Sequence, residues 1–241
     1  MDDMEAASGG SFRISVAPGP TMLDFILDSP ARRPMRVLCI GAHCDDVEIG
    51  CGATLRALQR GARKVVIDWL VMSGNRERCR ETQGAMHSLL RPQCRGELLC
   101  GDFPDGRFPG AYAGIKDFFE SLKARPAPDL ILCHERDDRH QDHRIVNEMV
   151  WNTFRDHVVL EYEVPKWDGG LGQPNVYVPV AARDAAAKVN VLMKSYASQS
   201  GRAWFTEDTF LAMLRLRGLE CRAKSGYAEA FYGRKICIQG R

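Results

Sequence analysis

The chain has 241 residues, 45% hydrophobic and 27% charged, with a formal net charge of +2. At roughly 150 residues per domain that is one or two domains, and a chain of this size buries roughly 70–75% of its unfolded surface, so a core needs no disulfide staples. The charge balance lacks the basic run of a nucleic-acid binder, and the longest apolar stretch, Val65 to Met72, is broken by Asp68 and too short to span a membrane.

Residues 1–33 open with MDDMEAASGGS and are rich in Gly, Ser, Pro and Asp. They read as an N-terminal tail or extended cover, with the main domain at 34–241. The opening also lacks the basic and apolar regions of a signal peptide, which points to the cytoplasm. Met35 to Gly41 is a short apolar run ended by glycine, hence a buried strand. A helix is expected over Ala53–Arg60 with Gly61 as its stop, then a strand over Lys64–Met72 and a helix over Glu77–Leu90. Glu97–Cys100 reads as a third strand, followed by the turn-rich DFPDGRFPG. A helix over Tyr112–Lys123, a strand over Asp129–Cys133, a helix over Arg144–Phe154 and a strand over Val158–Tyr162 complete the alternation. Beyond Pro165 come short strands and two helices, about Ala182–Tyr196 and Glu207–Leu216.

Alternating strands and helices predict an α/β class: a three-layer, Rossmann-like domain with a mostly parallel sheet. Nine cysteines, an odd number without a C-x-x-C, predict free thiols in a reducing compartment. Cys39, Cys100 and Cys133 lie in apolar strand-like runs, where a reduced cysteine acts as a small hydrophobe.

Ligands of open α/β sheets bind beyond the carboxyl ends of the strands. Two polar clusters fall there: His43-Cys-Asp45-Asp46-Val-Glu48 after the first strand, and His134-Glu-Arg-Asp-Asp-Arg-His140-Gln-Asp142-His143 after the strand ending at Cys133. A single His-x-x-Asp is most often a solvated turn, and the second cluster alone also reads as a charged loop entering a helix. Together at two neighbouring strand ends they crowd carboxylates and imidazoles around one point, which suits a zinc ion with an open position for water.

His43-Cys-Asp45-Asp46-Val-Glu48-Ile-Gly-Cys-Gly-Ala-Thr-Leu resembles the H-P-D-D-x-E-I-G-x-G-G-T-L opening of the PIG-L/LmbE-like metal-dependent N-deacetylases, and His140-Gln-Asp142-His143 resembles that family's H-x-D-H. Arg78-Cys-Arg-Glu81, Pro104-Asp105-Gly106, Ser198-Gln199 and Tyr227-Ala-Glu-Ala-Phe231 resemble further family segments, so the likeness runs over roughly residues 35 to 240. Cys44 and Gln141 stand where the family has proline.

The resemblance implies a fold with the metal site at the C-terminal strand ends, and a hydrolase that removes an N-acetyl group from an amino sugar or its conjugate. It implies His43, Asp46 and His143 as ligands of Zn2+, with another divalent ion such as Fe2+ as the alternative. It further implies Asp45 as general base, His140 as the partner of the oxyanion and departing amine, and Asp142 as the residue that orients His140. Arg78, Asp105 and Gln199 are the expected substrate contacts. Glu48 is expected to brace a loop, His134 and Glu135 border the site, and His87 and His157 have no role.

The expected partner is a small amino-sugar substrate, with no nucleic acid and no membrane span, and self-association is left open. Specificity is expected in residues 103–112, 165–175 and 198–232, where Trp167, Trp204, Tyr227 and Tyr232 gather. Two other functions stay open: a metal-dependent deformylase or amidase, and a nucleotide-binding module using Gly50 and Gly52. The last places carboxylates against phosphates, which is electrostatically unfavourable without a cation.

Overall fold

Alternate residues of the two central strands point to opposite faces of one sheet, as the pleat requires. In β3 (Met35–His43), Val37 and Cys39 enter one core while Ile40 and Ala42 enter the other; in β4 (Val65–Ser73), Ile67, Trp69 and Val71 oppose Leu70 and Met72. A sheet buried on both faces needs helices on both, and the computed structural model, which describes residues 12–15, 24–27, 33–60 and 64–237, has that arrangement.

In chain order the seven-stranded sheet is built from β3, β4, β5 (Leu98–Cys100), β6 (Leu130–His134), β7 (Val158–Tyr162), β8 (Val176–Pro179) and β9 (Ala228–Gly233). Its spatial order is β5-β4-β3-β6-β7-β9-β8; the first five are parallel, and β9 runs antiparallel to both β7 and β8. One helical layer holds α1 (Asp46–Leu58), α2 (Arg76–Leu89), α5 (Ala182–Ser195) and α6 (Glu207–Glu220), which pack on one another. The other holds α3 (Tyr112–Ser121) and α4 (Gln141–Thr153). The predicted three-layer, mostly parallel α/β fold is therefore the observed one.

Near the N-terminus, β1 (Phe12–Ser15) and β2 (Asp24–Leu27) form a separate antiparallel pair. The rest of the predicted tail, and the Gly61 stop signal, lie outside the described residues. No helix among the described residues is long and apolar enough to cross a membrane.

Three differences from the sequence reading have physical causes. α1 begins at Asp46, seven residues before Ala53, because its glycine-rich first half is held by tertiary packing. A Cβ on Gly50 would lie 2.1 Å from the Tyr162 ring, so only glycine lets the helix settle on β7. Gly50 and Gly52 are thus helix-packing residues inside α1, which removes the basis for the nucleotide-binding alternative. Cys100 is exposed, because β5 is a three-residue edge strand, whereas Cys39 and Cys133 are buried in central strands. All nine cysteines are free thiols.

Candidate active site

β3 and β6 are hydrogen-bonded parallel neighbours, so the two polar clusters emerge side by side at the same end of the sheet. His43 is the last residue of β3 and His134 the last of β6. Between β3 and α1, Asp45 adopts φ 95°, a left-handed conformation that a non-glycine residue holds only under constraint. It stands at the helix N-cap, where its carbonyl accepts the Ile49 N–H at 2.9 Å but its side chain makes no capping bond. Its carboxylate instead accepts from Arg78 Nη2 at 3.2 Å, and the same nitrogen donates to the Cys44 carbonyl at 2.6 Å.

Three donor atoms converge. His43 Nδ1 lies 3.5 Å from Asp46 Oδ2, His143 Nε2 lies 3.6 Å from that oxygen, and the two nitrogens are 3.3 Å apart. A tetrahedral zinc with ligand bonds of about 2.0–2.1 Å sets its donors about 3.3–3.4 Å apart. The residues present fit such an ion closely. His140 and His134 belong to overlapping donor groups with His43, Asp46 and His143. His134 Nε2, however, already accepts the Ala42 N–H at 2.9 Å, and His140 Nδ1 accepts the Asp142 N–H at 3.2 Å.

Each of the two converging imidazoles has its far nitrogen on a carboxylate. His43 Nε2 faces Asp142 Oδ2 at 3.1 Å and Asp105 Oδ1 at 3.0 Å; His143 Nδ1 faces Asp138 Oδ2 at 2.8 Å. Such a partner fixes the tautomer and turns the other lone pair inward. Asp142 is fully buried and also accepts the N–H groups of Gly106 (2.7 Å) and Phe108 (3.1 Å), so the Pro104-Asp105-Gly106 turn is its cradle. This corrects the expected role of Asp142: its carboxylate holds His43 and makes no hydrogen bond to His140.

Electrostatics follow from burial and crowding. Burial and the neighbouring Asp46 charge hold the Asp45 pKa well above the usual carboxylate range, against the pull of Arg78. Burial also works to raise Asp46, but His143 and His134 overcome it and the pKa falls well below the ordinary value. Burial, with His134 stacked on it at 3.7 Å, pushes His143 down to about 3. His140 caps α4 and is only half-buried; burial and the neighbouring His43 lower its pKa, and with Nδ1 accepting, its N–H is Nε2.

The remaining expected residues divide. Arg78 is engaged with Asp45 and Cys44 rather than free for a substrate hydroxyl. Asp105 stays at the mouth, its side chain 64% exposed. Gln199 is buried and its side chain donates to its neighbour Ser198, which in turn donates twice to Glu81 on α2, so these two motif segments brace one another. Glu48 is no loop brace: it lies in the first turn of α1, both oxygens buried without a hydrogen-bond partner, and burial pushes its pKa up to about 7. Cys44 points away from the converging donors, its thiol toward the Ser73 carbonyl at 3.8 Å, and burial raises it to about 12. His87 is exposed on α2, as expected.

Sequence reasoning missed Asp138 and Lys166 and undervalued His134. Lys166 Nζ donates to Asp138 Oδ2 at 2.7 Å, and His134 Nε2 stands 3.2 Å from Asp46 Oδ2. The only sequence signal was the density of charge in HERDDRHQDH.

Residues 38–154 match the family described as PIG-L, GlcNAc-PI de-N-acetylase, a span that contains both histidine–aspartate clusters. The chain is 31% identical over 192 residues to the uncharacterized deacetylase YaiS of Escherichia coli K12, covering 72% of this chain and 97% of that one. Among solved structures it is similar in fold to GalB, the 4-carboxy-2-hydroxymuconate hydratase of Pseudomonas putida KT2440 (TM-score 0.67, 12% identity, 86% of this chain and 99% of that one). It is also similar to the N,N'-diacetylchitobiose deacetylase of Pyrococcus horikoshii (TM-score 0.59, 16% identity, 81% of this chain and 82% of that one). With its two clusters inside the matched span and a relative of this identity along most of its length, the chain belongs to the PIG-L family of de-N-acetylases.

Proposed function

We propose that the protein is a zinc-dependent hydrolase that removes an N-acetyl group from an amino sugar or amino-sugar conjugate. The observation that carries this reading is the trio His43 Nδ1, Asp46 Oδ2 and His143 Nε2 at mutual separations of 3.3 to 3.6 Å. When bound, the ion polarises an amide carbonyl and makes water a competent nucleophile near neutral pH. His43, Asp46 and His143 hold it, with Asp142 and Asp138 keeping the two imidazoles in the ligating tautomer.

Asp45, fixed by Arg78, takes the proton of the attacking water and returns it to the departing amine. His140 donates its Nε2–H to the carbonyl oxygen as that oxygen gains charge. Its Nδ1 is already engaged by the Asp142 N–H, so the amine's proton comes from Asp45. Asp105, at the mouth, contacts a substrate hydroxyl; Gln199, being buried, is left out of the substrate contacts. Nine free thiols support a reducing, cytoplasmic setting.

The test is a screen of zinc-loaded protein against N-acetyl and N-formyl amino sugars and their conjugates, reading release of primary amine. We expect acetate release from an N-acetyl amino sugar, loss of activity on chelation and recovery with zinc. Preference for N-formyl substrates would favour a deformylase. Full activity after chelation, or turnover only of an unsaturated acid of the kind GalB hydrates, would remove the reading.

A further inference from the structure

The sequence offers four aromatic residues for recognising a substrate, and the structure engages three of them elsewhere. Trp204 is half-buried against the larger core, its ring edge-on to Phe205 at 5.5 Å. Tyr227 packs on the same core beneath the Arg215 guanidinium at 5.2 Å. Tyr232 is buried, donates its hydroxyl to Glu163 at 3.0 Å and lies under Arg234. Trp167 differs: it is 74% exposed, although tryptophan is among the residues most buried on average.

The loop that carries Trp167 stands on the segment leading to His140. At one foot Lys166 Nζ donates to Asp138 Oδ2 at 2.7 Å, the oxygen that also faces His143 Nδ1 at 2.8 Å. At the other, Gly170 lies against Arg139, where an added Cβ would meet Arg139 Cγ at 3.3 Å. Between the feet the chain turns through Asp168, which accepts the Gly170 N–H at 3.2 Å, and Gly169 at φ +63°. The exposed indole is thus tethered to the residues that precede and support the converging donors.

In the chain the indole is flanked by the charged residues Lys166 and Asp168, and only Leu171 adds exposed apolar surface on the same loop. An acyl chain or a membrane surface calls for a contiguous apolar area. A pyranose ring has one face of C–H groups and an edge of hydroxyls, which matches one flat aromatic ring set among hydrogen-bonding groups.

We propose that Trp167 is the stacking platform for a pyranose ring of the substrate, and that Lys166 sets its place by pinning the loop to Asp138. The indole then supplies preference for a cyclic substrate over an acyclic amide. This rests on the deacetylase reading above. Stacking of one aromatic ring contributes about a two- to tenfold change in affinity.

The test compares zinc-loaded wild type, Trp167→Ala and Trp167→Phe on N-acetylglucosamine and on N-acetylethanolamine, an acyclic amide. Trp167→Ala is expected to raise KM for the sugar about tenfold with little change in kcat, Trp167→Phe to recover most of it, and the acyclic amide to show a far smaller change. An unchanged sugar KM, or an equal rise for both amides, overturns the proposal while leaving the deacetylase reading standing. An altered sedimentation coefficient with unchanged sugar KM would assign the indole to a second copy of the chain and also overturn it. Wild-type protein that releases amine from neither of these amides nor from any N-acetyl conjugate of the screen above fails the deacetylase reading itself.

Discussion

Two regions of this molecule bury charge, and they do so in opposite ways. Beside α1, Glu229 accepts Lys188 Nζ at 2.6 Å and the N–H groups of Ala53 and Thr54 at 3.1 and 2.6 Å, while Lys188 also reaches the Ile49 carbonyl. Nearby, Glu163 takes a two-nitrogen contact from Arg217 with the Gly172 N–H and the Tyr232 hydroxyl. Every carboxylate oxygen there has a donor from the chain. At the ends of β3 and β6, by contrast, Asp45, Asp46, Glu48, Asp138 and Asp142 are all buried, and among the described residues the permanent cations paired with their carboxylates are Arg78 and Lys166. Charge that the protein balances for itself is scaffold. Carboxylates left without matching cations around converging imidazoles are what the proposed ion would complete.

The sharpest way to break this contrast is Asp46→Ala. If the excess exists to hold an ion, this variant loses metal by elemental analysis and loses activity by ~10³-fold or more, since several kcal/mol of charge stabilisation go with the ion. Asp45→Asn, one residue away, is expected to keep its metal while kcat falls by roughly 10²–10⁴, the usual worth of a general base. His140→Ala is expected to keep its metal and lose ~10²–10³, the scale of a missing oxyanion donor. Asp45→Asn emptying the site while Asp46→Ala stays loaded would show the pair reversed.

The scaffold region answers to a different measurement. Lys188→Met leaves Glu229 charged and buried without its cation, which costs about 3–5 kcal/mol in a denaturant titration. Zinc per folded chain and kcat are expected to hold. Metal loss from folded Lys188→Met would mean the two regions are one network and the contrast is false.

What the sequence disclosed follows the same division. Residue type and strand-end position were readable, so the two polar clusters could be placed side by side, because β3 and β6 are apolar runs and parallel neighbours open to the same side; the choice of three donors within them came from the family resemblance. Partnerships were not readable. Asp138 meets Lys166 across 28 positions, and Asp142 meets His43 across 99. Helix propensity misled at the start of α1, where Gly50 and Gly52 disfavour a helix that packing on Tyr162 then enforces. Apolar patterning misled at Cys100, because a run of strand-forming residues does not reveal that its strand lies at the sheet edge.

The smallest expected effects concern the two carboxylates behind the histidines, and they bear on the corrected role of Asp142. Had Asp142 served His140, its loss would resemble His140→Ala: metal retained, rate reduced. The geometry pairs it with His43 Nε2 at 3.1 Å, as Asp138 pairs with His143 Nδ1 at 2.8 Å, so Asp142→Asn and Asp138→Asn should behave alike. An amide in place of the carboxylate gives a weaker acceptor and leaves the ring freer to turn. Partners of this kind are worth about 10–100-fold in metal affinity. Competition with a zinc chelator is therefore expected to show a weaker Kd for both variants, with excess zinc restoring most of the lost activity. Asp142→Asn also loosens the turn at Gly106 and Phe108, because its carboxylate accepts both N–H groups, so it should be the less stable of the two. Zinc affinity unchanged in Asp142→Asn, with a rate defect that zinc does not relieve, would return this residue to His140 and leave His43 held by Asp105 alone.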